Sequence, residues 1–126
     1  MVMNEASRAM MRLLVVEDEY LIRMLLEDML ADLGYDVAAA VGTMAEAREQ
    51  AATGDFTAAI LDVNVDGQEI FPVAEILVRR GLPFVFVTGY GEHGLPEPYR
   101  GHPALQKPFE AQQLKTALAS LLAVPS

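Results

Sequence analysis

Three short apolar runs in this chain each end in a side chain that could hold a cation or a phosphoryl group. Glu17 and Asp18 follow Leu13–Val16, Asp62 follows Ala58–Leu61, Thr88 follows Phe84–Val87, and Lys107 stands directly before Pro108. If the runs are neighbouring parallel strands, their carboxyl ends gather three acids, a hydroxyl and an ammonium at one sheet edge, where open α/β sheets keep their ligand sites. Mg²⁺ prefers oxygen ligands and retains several waters, so one or two carboxylates and a phosphoryl oxygen suffice for it. Glu17, Asp18 and Asp62 are therefore the candidate metal ligands. Asp62 is also the candidate nucleophile, since carboxylates form aspartyl phosphates. Lys107 would neutralise charge on the transferring group, and Thr88 would donate a hydrogen bond to one of its oxygens. Each residue alone has an ordinary alternative, as a solvated acidic pair, a turn opener, a cap or a surface lysine. Their order and their placement at strand ends carry the reading.

Periodicity supplies the elements that must position these groups. Leu13–Val16 is apolar without alternation, as in a parallel strand covered on both faces. A helix is expected over 19–33, with Leu21, Ile22, Leu25, Leu26, Met29, Leu30 and Leu33 at spacings of one, three and four and Gly34 as its stop. Met24 and Met29 lie within this stripe and read as core filler. A strand over 35–41 leads to Thr43, which with Glu46 has a capping-box signature, so a second helix starts there. A strand over 56–61, a turn over 64–67, a helix holding Pro72 in its first turn and ending at Gly81, and a strand over 83–87 follow. Between Thr88 and Lys107, Gly89, Gly91, Gly94, Pro96, Pro98, Gly101 and Pro103 exclude a regular helix of several turns. A short strand over 104–106 and a helix over 110–123, with Leu114, Leu118, Leu121 and Leu122 inward, complete the alternation. Repeated strand–helix alternation implies a parallel sheet with helices on both faces.

A length of 126 residues suits one domain, and a hydrophobic fraction of 52% argues against general disorder. Nine basic against eighteen acidic residues give a net charge of -9, which repels nucleic acid and anionic lipid, so neither is an expected partner. Arg79-Arg80 is the only adjacent basic pair and falls at an expected helix end, facing the dipole. No run reaches the roughly 18 apolar residues of a membrane span, and the first residues lack the pattern of a secretory signal. Absence of cysteine removes disulfides, thiolate catalysis and Cys-based metal sites. A cytoplasmic location is expected.

The strings Leu14-Val15-Val16-Glu17-Asp18-Glu19, Leu61-Asp62-Val63-Asn64-Val65-Asp66-Gly67, Val87-Thr88-Gly89 and Gln106-Lys107-Pro108-Phe109 resemble the receiver domain of two-component response regulators. The resemblance spans residues 12–123 and leaves 1–11 as a flexible leader and 124–126 as a tail. It implies a flavodoxin-like, doubly wound, five-stranded parallel sheet of order 2-1-3-4-5. It also implies that Asp62 takes a phosphoryl group from a phosphohistidine, with Mg²⁺ as cofactor. Asp18 would bind the ion directly, Glu17 mostly through water, and the backbone carbonyl of Asn64 would add a ligand. The Lys107–Pro108 bond is expected cis.

Two departures from the family pattern stand out. Ala104 replaces the Tyr or Phe usual three residues before the lysine, and the fourth helix is shortened or replaced by the Gly/Pro-rich loop. Phe86-Val87-Thr88-Gly89-Tyr90-Gly91 resembles the Phe-Ala-Thr-Gly-hydrophobic-Tyr motif of certain single-domain regulators, and Tyr90 is a candidate replacement for the missing mobile aromatic. Asn64 and Tyr90 hold positions that tune water access to the acyl phosphate in this family. His93 and His102 lack ligand spacing and read as surface loop residues.

The expectation is a stand-alone receiver that is not an enzyme beyond its own phosphorylation and dephosphorylation. Its partners would be a histidine kinase or histidine phosphotransfer protein, or another regulator as output target. One alternative is a small-molecule phosphohydrolase with an aspartyl nucleophile, which would usually need a second acid where Asn64 stands. The other is a phosphorylation-independent adaptor, against which intact Asp62, Thr88 and Lys107 count.

Overall fold

Among the residues of β1 (Arg12–Val16), the four after Arg12 are buried and apolar, and both faces of the strand are covered. The computed structural model describes residues 11–89 and 95–122. The further elements, in chain order, are α1 (Tyr20–Asp32), β2 (Asp36–Val41), α2 (Met44–Thr53), β3 (Ala58–Asp62), a hairpin of β4 (Asn64–Val65) and β5 (Gln68–Glu69), α3 (Phe71–Arg80), β6 (Phe84–Thr88), a 3₁₀ turn (Glu97–Tyr99), β7 (Ala104–Gln106) and α4 (Ala111–Leu122). The main sheet runs β2-β1-β3-β6-β7 with every neighbour pair parallel. With the hairpin set aside, this is the doubly wound order expected from the sequence.

Alternate strand residues feed two cores. Leu14, Val16, Ala59, Leu61, Phe84 and Phe86 meet α2 and α3, whereas Leu13, Val15, Ala58, Ile60, Val85 and Val87 meet α1 and α4. Burying each such large side chain is worth about 1.5–3 kcal/mol, enough in sum to fix strand register without any disulfide. α2 starts where Thr43 Oγ1 accepts the Glu46 N–H (3.1 Å) and donates to the Glu46 carboxylate (2.9 Å). α3 ends at Gly81, and Arg80 turns back to donate to the carbonyls of Ala51 (2.6 Å) and Gly54 (2.9 Å), tying α3 to the end of α2. That bridge, rather than the dipole alone, occupies the cation that the sequence placed at a helix end.

The structure revises several sequence expectations. Met11, read as the last leader residue, is buried against the α1/α4 core; residues 1–10 and 123–126 lie outside the described residues. Leu21, Met24 and Leu25 were expected in the core, yet they are 79%, 44% and 52% exposed. A helix of this width can bury only one stripe, and Leu26 and Leu30 take it. His102, expected on the surface, is half-buried and stacked on Phe84 at 4.6 Å. Among the described residues, the helical part of the β6–β7 connection is the 3₁₀ turn alone. Its Tyr99 stacks on Phe71 (5.4 Å) and meets Phe86 edge-on (5.4 Å), so rings cover the sheet beside Ala104.

Candidate functional site

β1, β3 and β6 deliver their last polar residues to the same carboxyl edge, because they lie side by side in register. Glu17 continues the β1 ladder through its N–H to Val41 O (3.0 Å) and is 1% exposed. Asp62 closes β3, and Thr88 closes β6; both are buried. Lys107 follows β7, where its N–H donates to Thr88 O (2.8 Å), and the Lys107–Pro108 bond is cis. Its ammonium lies 2.9 Å from Glu17 Oε1 and 3.1 Å from Asp62 Oδ2. The lysine thus bridges the carboxylates supplied by β1 and β3.

Three acids around one cation leave an excess of negative charge. Burial pushes the Glu17 carboxyl up to about 7, helped by the neighbouring Asp62 charge and opposed by the Glu19 N–H and Lys107. The Glu19 N–H donates to Glu17 Oε2 (3.0 Å). For Asp18, burial acts upward but is outweighed by hydrogen bonds, chiefly from the Asp66 N–H (2.9 Å) and from Glu17, so its carboxyl sits below the ordinary value. For Lys107, burial acts downward and loses to its contacts with Glu17 and Asp62, so the ammonium is held more firmly than in water.

The residues present fit a hard divalent cation. Glu17, Asp18 and Asp62 each offer an oxygen within 4.8 Å of the others'. Buried Glu17 Oε1 has the Lys107 ion pair but no aligned hydrogen bond, which leaves a lone pair for an ion or a water bound to it. Asn64 sits just beyond Asp62: its N–H donates to Asp62 Oδ1 (3.3 Å), while its side-chain Oδ1 accepts the Gly67 N–H (3.0 Å). The side-chain oxygen of Asn64 is therefore engaged in the hairpin turn. Tyr90 and His93 lie outside the described residues.

Sequence reasoning missed two contributors. Arg23 on α1 donates to the Glu17 carbonyl (2.7 Å), and its guanidinium passes where a Cβ on Gly42 would come within 2.5 Å. A side chain at position 42 would therefore have to displace the Arg23 guanidinium from this path. Asp66 acts through its backbone N–H, which no side-chain pattern announces; the Asp66-Gly67 dipeptide was the available hint of a tight hairpin. Beside the acids, a cleft of about 360 Å³ opens between α1 and the residues after β7, lined by Ile22, Leu25, Leu26, Lys107, Pro108 and Phe109.

Comparison with known proteins agrees with this geometry. Residues 13–119 match the response regulator receiver domain family. The transcriptional regulatory protein PdtaR of Mycobacterium tuberculosis is 35% identical over 111 residues, covering 85% of this chain and 54% of that protein. The chain thus spans about half the length of the curated relatives it matches. Among solved structures, SdrG from Sphingomonas melonis Fr1 superposes with a TM-score of 0.79 at 44% identity, covering 90% of this chain and 97% of that one. The BeF3-activated conformation of SdrG from Pseudomonas melonis Fr1 gives 0.77 at 45% identity, covering 89% and 96%.

Proposed function

The chain belongs to the response regulator receiver domain family of two-component signalling, and from that premise we propose that Asp62 is its phosphoacceptor. The donor is the phosphohistidine of a histidine kinase or histidine phosphotransfer protein. A carboxylate oxygen of Asp62 forms the new O–P bond as the P–N bond to imidazole breaks, and the leaving nitrogen keeps the electron pair and takes up a proton. Mg²⁺ held by Glu17, Asp18 and Asp62, with the Asn64 carbonyl as a further ligand, would neutralise charge on the phosphoryl oxygens. The Lys107 ammonium shifts its hydrogen bond from Asp62 to a phosphoryl oxygen, and the Thr88 hydroxyl donates to another. Tyr90 is the aromatic proposed to follow Thr88 on phosphorylation.

The observation that carries this reading is the Lys107 ammonium at 3.1 Å from an Asp62 oxygen, inside a group of three carboxylates. Support for a protein donor comes from α1. Tyr20, Leu21, Met24 and Leu25 form an exposed apolar face next to the cleft over Pro108 and Phe109, and such patches mark docking surfaces on soluble proteins. A partner seated there would bring its histidine to the carboxyl edge of the sheet. Output then proceeds through protein contacts, with another regulator as a candidate target. The whole reading is tested by incubating the chain with acetyl phosphate and Mg²⁺ and weighing it intact. A phosphoryl adduct on the wild type and none on Asp62→Asn is expected; an equal adduct on both refutes the assignment.

A further inference from the structure

The hairpin after β3 contains an unusual backbone feature. Asp66 has φ 54°, and among the described residues it is the one non-glycine with positive φ. Gly67 follows at φ 79°, so both central residues of the β4–β5 turn are left-handed, as a type I′ turn requires. Asp tolerates this conformation better than most residues, but it is still disfavoured without local support. The support comes from Asn64, whose side-chain Oδ1 accepts the Gly67 N–H (3.0 Å) across the turn. What the turn delivers is the Asp66 N–H, 2.9 Å from Oδ2 of Asp18, a residue 48 positions away in the loop after β1.

We infer that Asn64 and the Asp66-Gly67 turn are positioning residues for the Asp18 carboxylate, and that the Asn64 side chain sets divalent-cation affinity through the turn. The inference rests on the proposed Mg²⁺ site. Asp18 lies on a loop and is only half-buried, so its carboxylate has little packing to orient it. A charge-assisted bond from a fixed N–H holds Oδ2 in one orientation and so fixes the direction in which the carboxylate faces an ion. Outer partners of this kind orient metal ligands and tune their affinity. Asn suits the task because its short amide closes a turn two or three residues on; Ser does the same more weakly, whereas Gln carries its amide one methylene too far.

The test is calorimetric titration of Mg²⁺ into the full chain without any phosphodonor, for wild type, Asn64→Ser and Asn64→Gln, with hydrogen exchange of the Asp66 amide measured alongside. Asn64→Gln should bind Mg²⁺ about 3- to 10-fold more weakly and lose Asp66 protection, with Asn64→Ser recovering part of both. Asn64 is exposed, so melting temperatures should stay close and exclude general unfolding as the cause. Equal Mg²⁺ affinity across the three proteins, or Asn64→Gln matching wild type with Asp66 still protected, overturns the inference while leaving the metal site intact. A wild type that binds no Mg²⁺ overturns the site itself and this inference with it.

Discussion

At its first residues β6 offers Phe84 and Phe86 to a group of rings, and at its last it delivers Thr88 to a group of charges. The two regions share one strand and are built on opposite principles. In the aromatic region, Phe71, Phe84, Phe86, Tyr99 and His102 each contact at least two other rings, at centroid distances of 4.6 to 6.4 Å. Rings in stacked and edge-on arrangements gain beyond their buried area, so they cover the sheet where, among the described residues, the β6–β7 connection supplies a 3₁₀ turn rather than a long helix. At the acidic edge, three carboxylates crowd one ammonium and one of them is pushed toward neutrality. That region costs folding free energy on its own, a cost that the proposed cation or phosphoryl group would offset. Ring packing and the proposed site are thus separated along a single strand.

Substitutions at the two ends should separate the same way. Lys107→Ala is expected to lower the rate of Asp62 phosphorylation by acetyl phosphate on the order of 100-fold, because the ammonium 3.1 Å from Asp62 is lost. Tyr99→Ala should leave that rate nearly unchanged but reduce unfolding free energy by about 2–3 kcal/mol, measured by urea denaturation. If Tyr99→Ala instead abolished phosphorylation without loss of stability, the two regions would not be independent.

Glu17→Gln sharpens the comparison further. A carboxyl raised from 4.5 to about 7 in the folded chain binds its proton more tightly folded than unfolded. Its contribution is therefore favourable below pH 4.5 and is lost as pH rises from 4.5 to 7, a difference of about 3 kcal/mol. In metal-free buffer at pH 8, Glu17→Gln should accordingly be more stable than wild type by about 1–3 kcal/mol, and the gain should vanish near pH 4.5. His102 supplies the opposite sign in the aromatic region. Burial holds its imidazole below 6.5, so the stability it provides is complete above pH 6.5 and is lost as pH falls below that, through the lower folded value. His102→Phe should flatten that smaller slope, and paired pH–stability curves for the two variants would resolve the contributions. Identical curves for wild type and Glu17→Gln would mean the acidic edge carries no such penalty.

Much of the site was legible because polar residues at the ends of apolar strands leave a strong signature. Glu17, Asp18, Asp62, Thr88 and Lys107 needed only the strand order to bring them together. The turn over 64–67 was legible but its flanking strands were not, since strands of two residues have no periodicity to read. Nor was the fate of Leu21, Met24 and Leu25: helical spacing tells which residues share a face, but not which face finds a partner. Glycines and prolines correctly excluded a long helix before β7. They carried no information about where Tyr99 and His102 would place their rings, which is set by the space beside Ala104 and by the phenylalanines of α3 and β6. Arg23 was hidden for a similar reason, because its partner is a backbone carbonyl and its room comes from Gly42.

The central claim concerns one carboxylate, and borohydride can locate it. Borohydride reduces an aspartyl phosphate to homoserine, so peptide mass analysis of the phosphorylated, reduced chain reads the acceptor position directly. The account predicts homoserine at position 62 and nowhere else. Homoserine at Asp18 or Asp66, or a phosphoryl adduct that resists reduction, would contradict it.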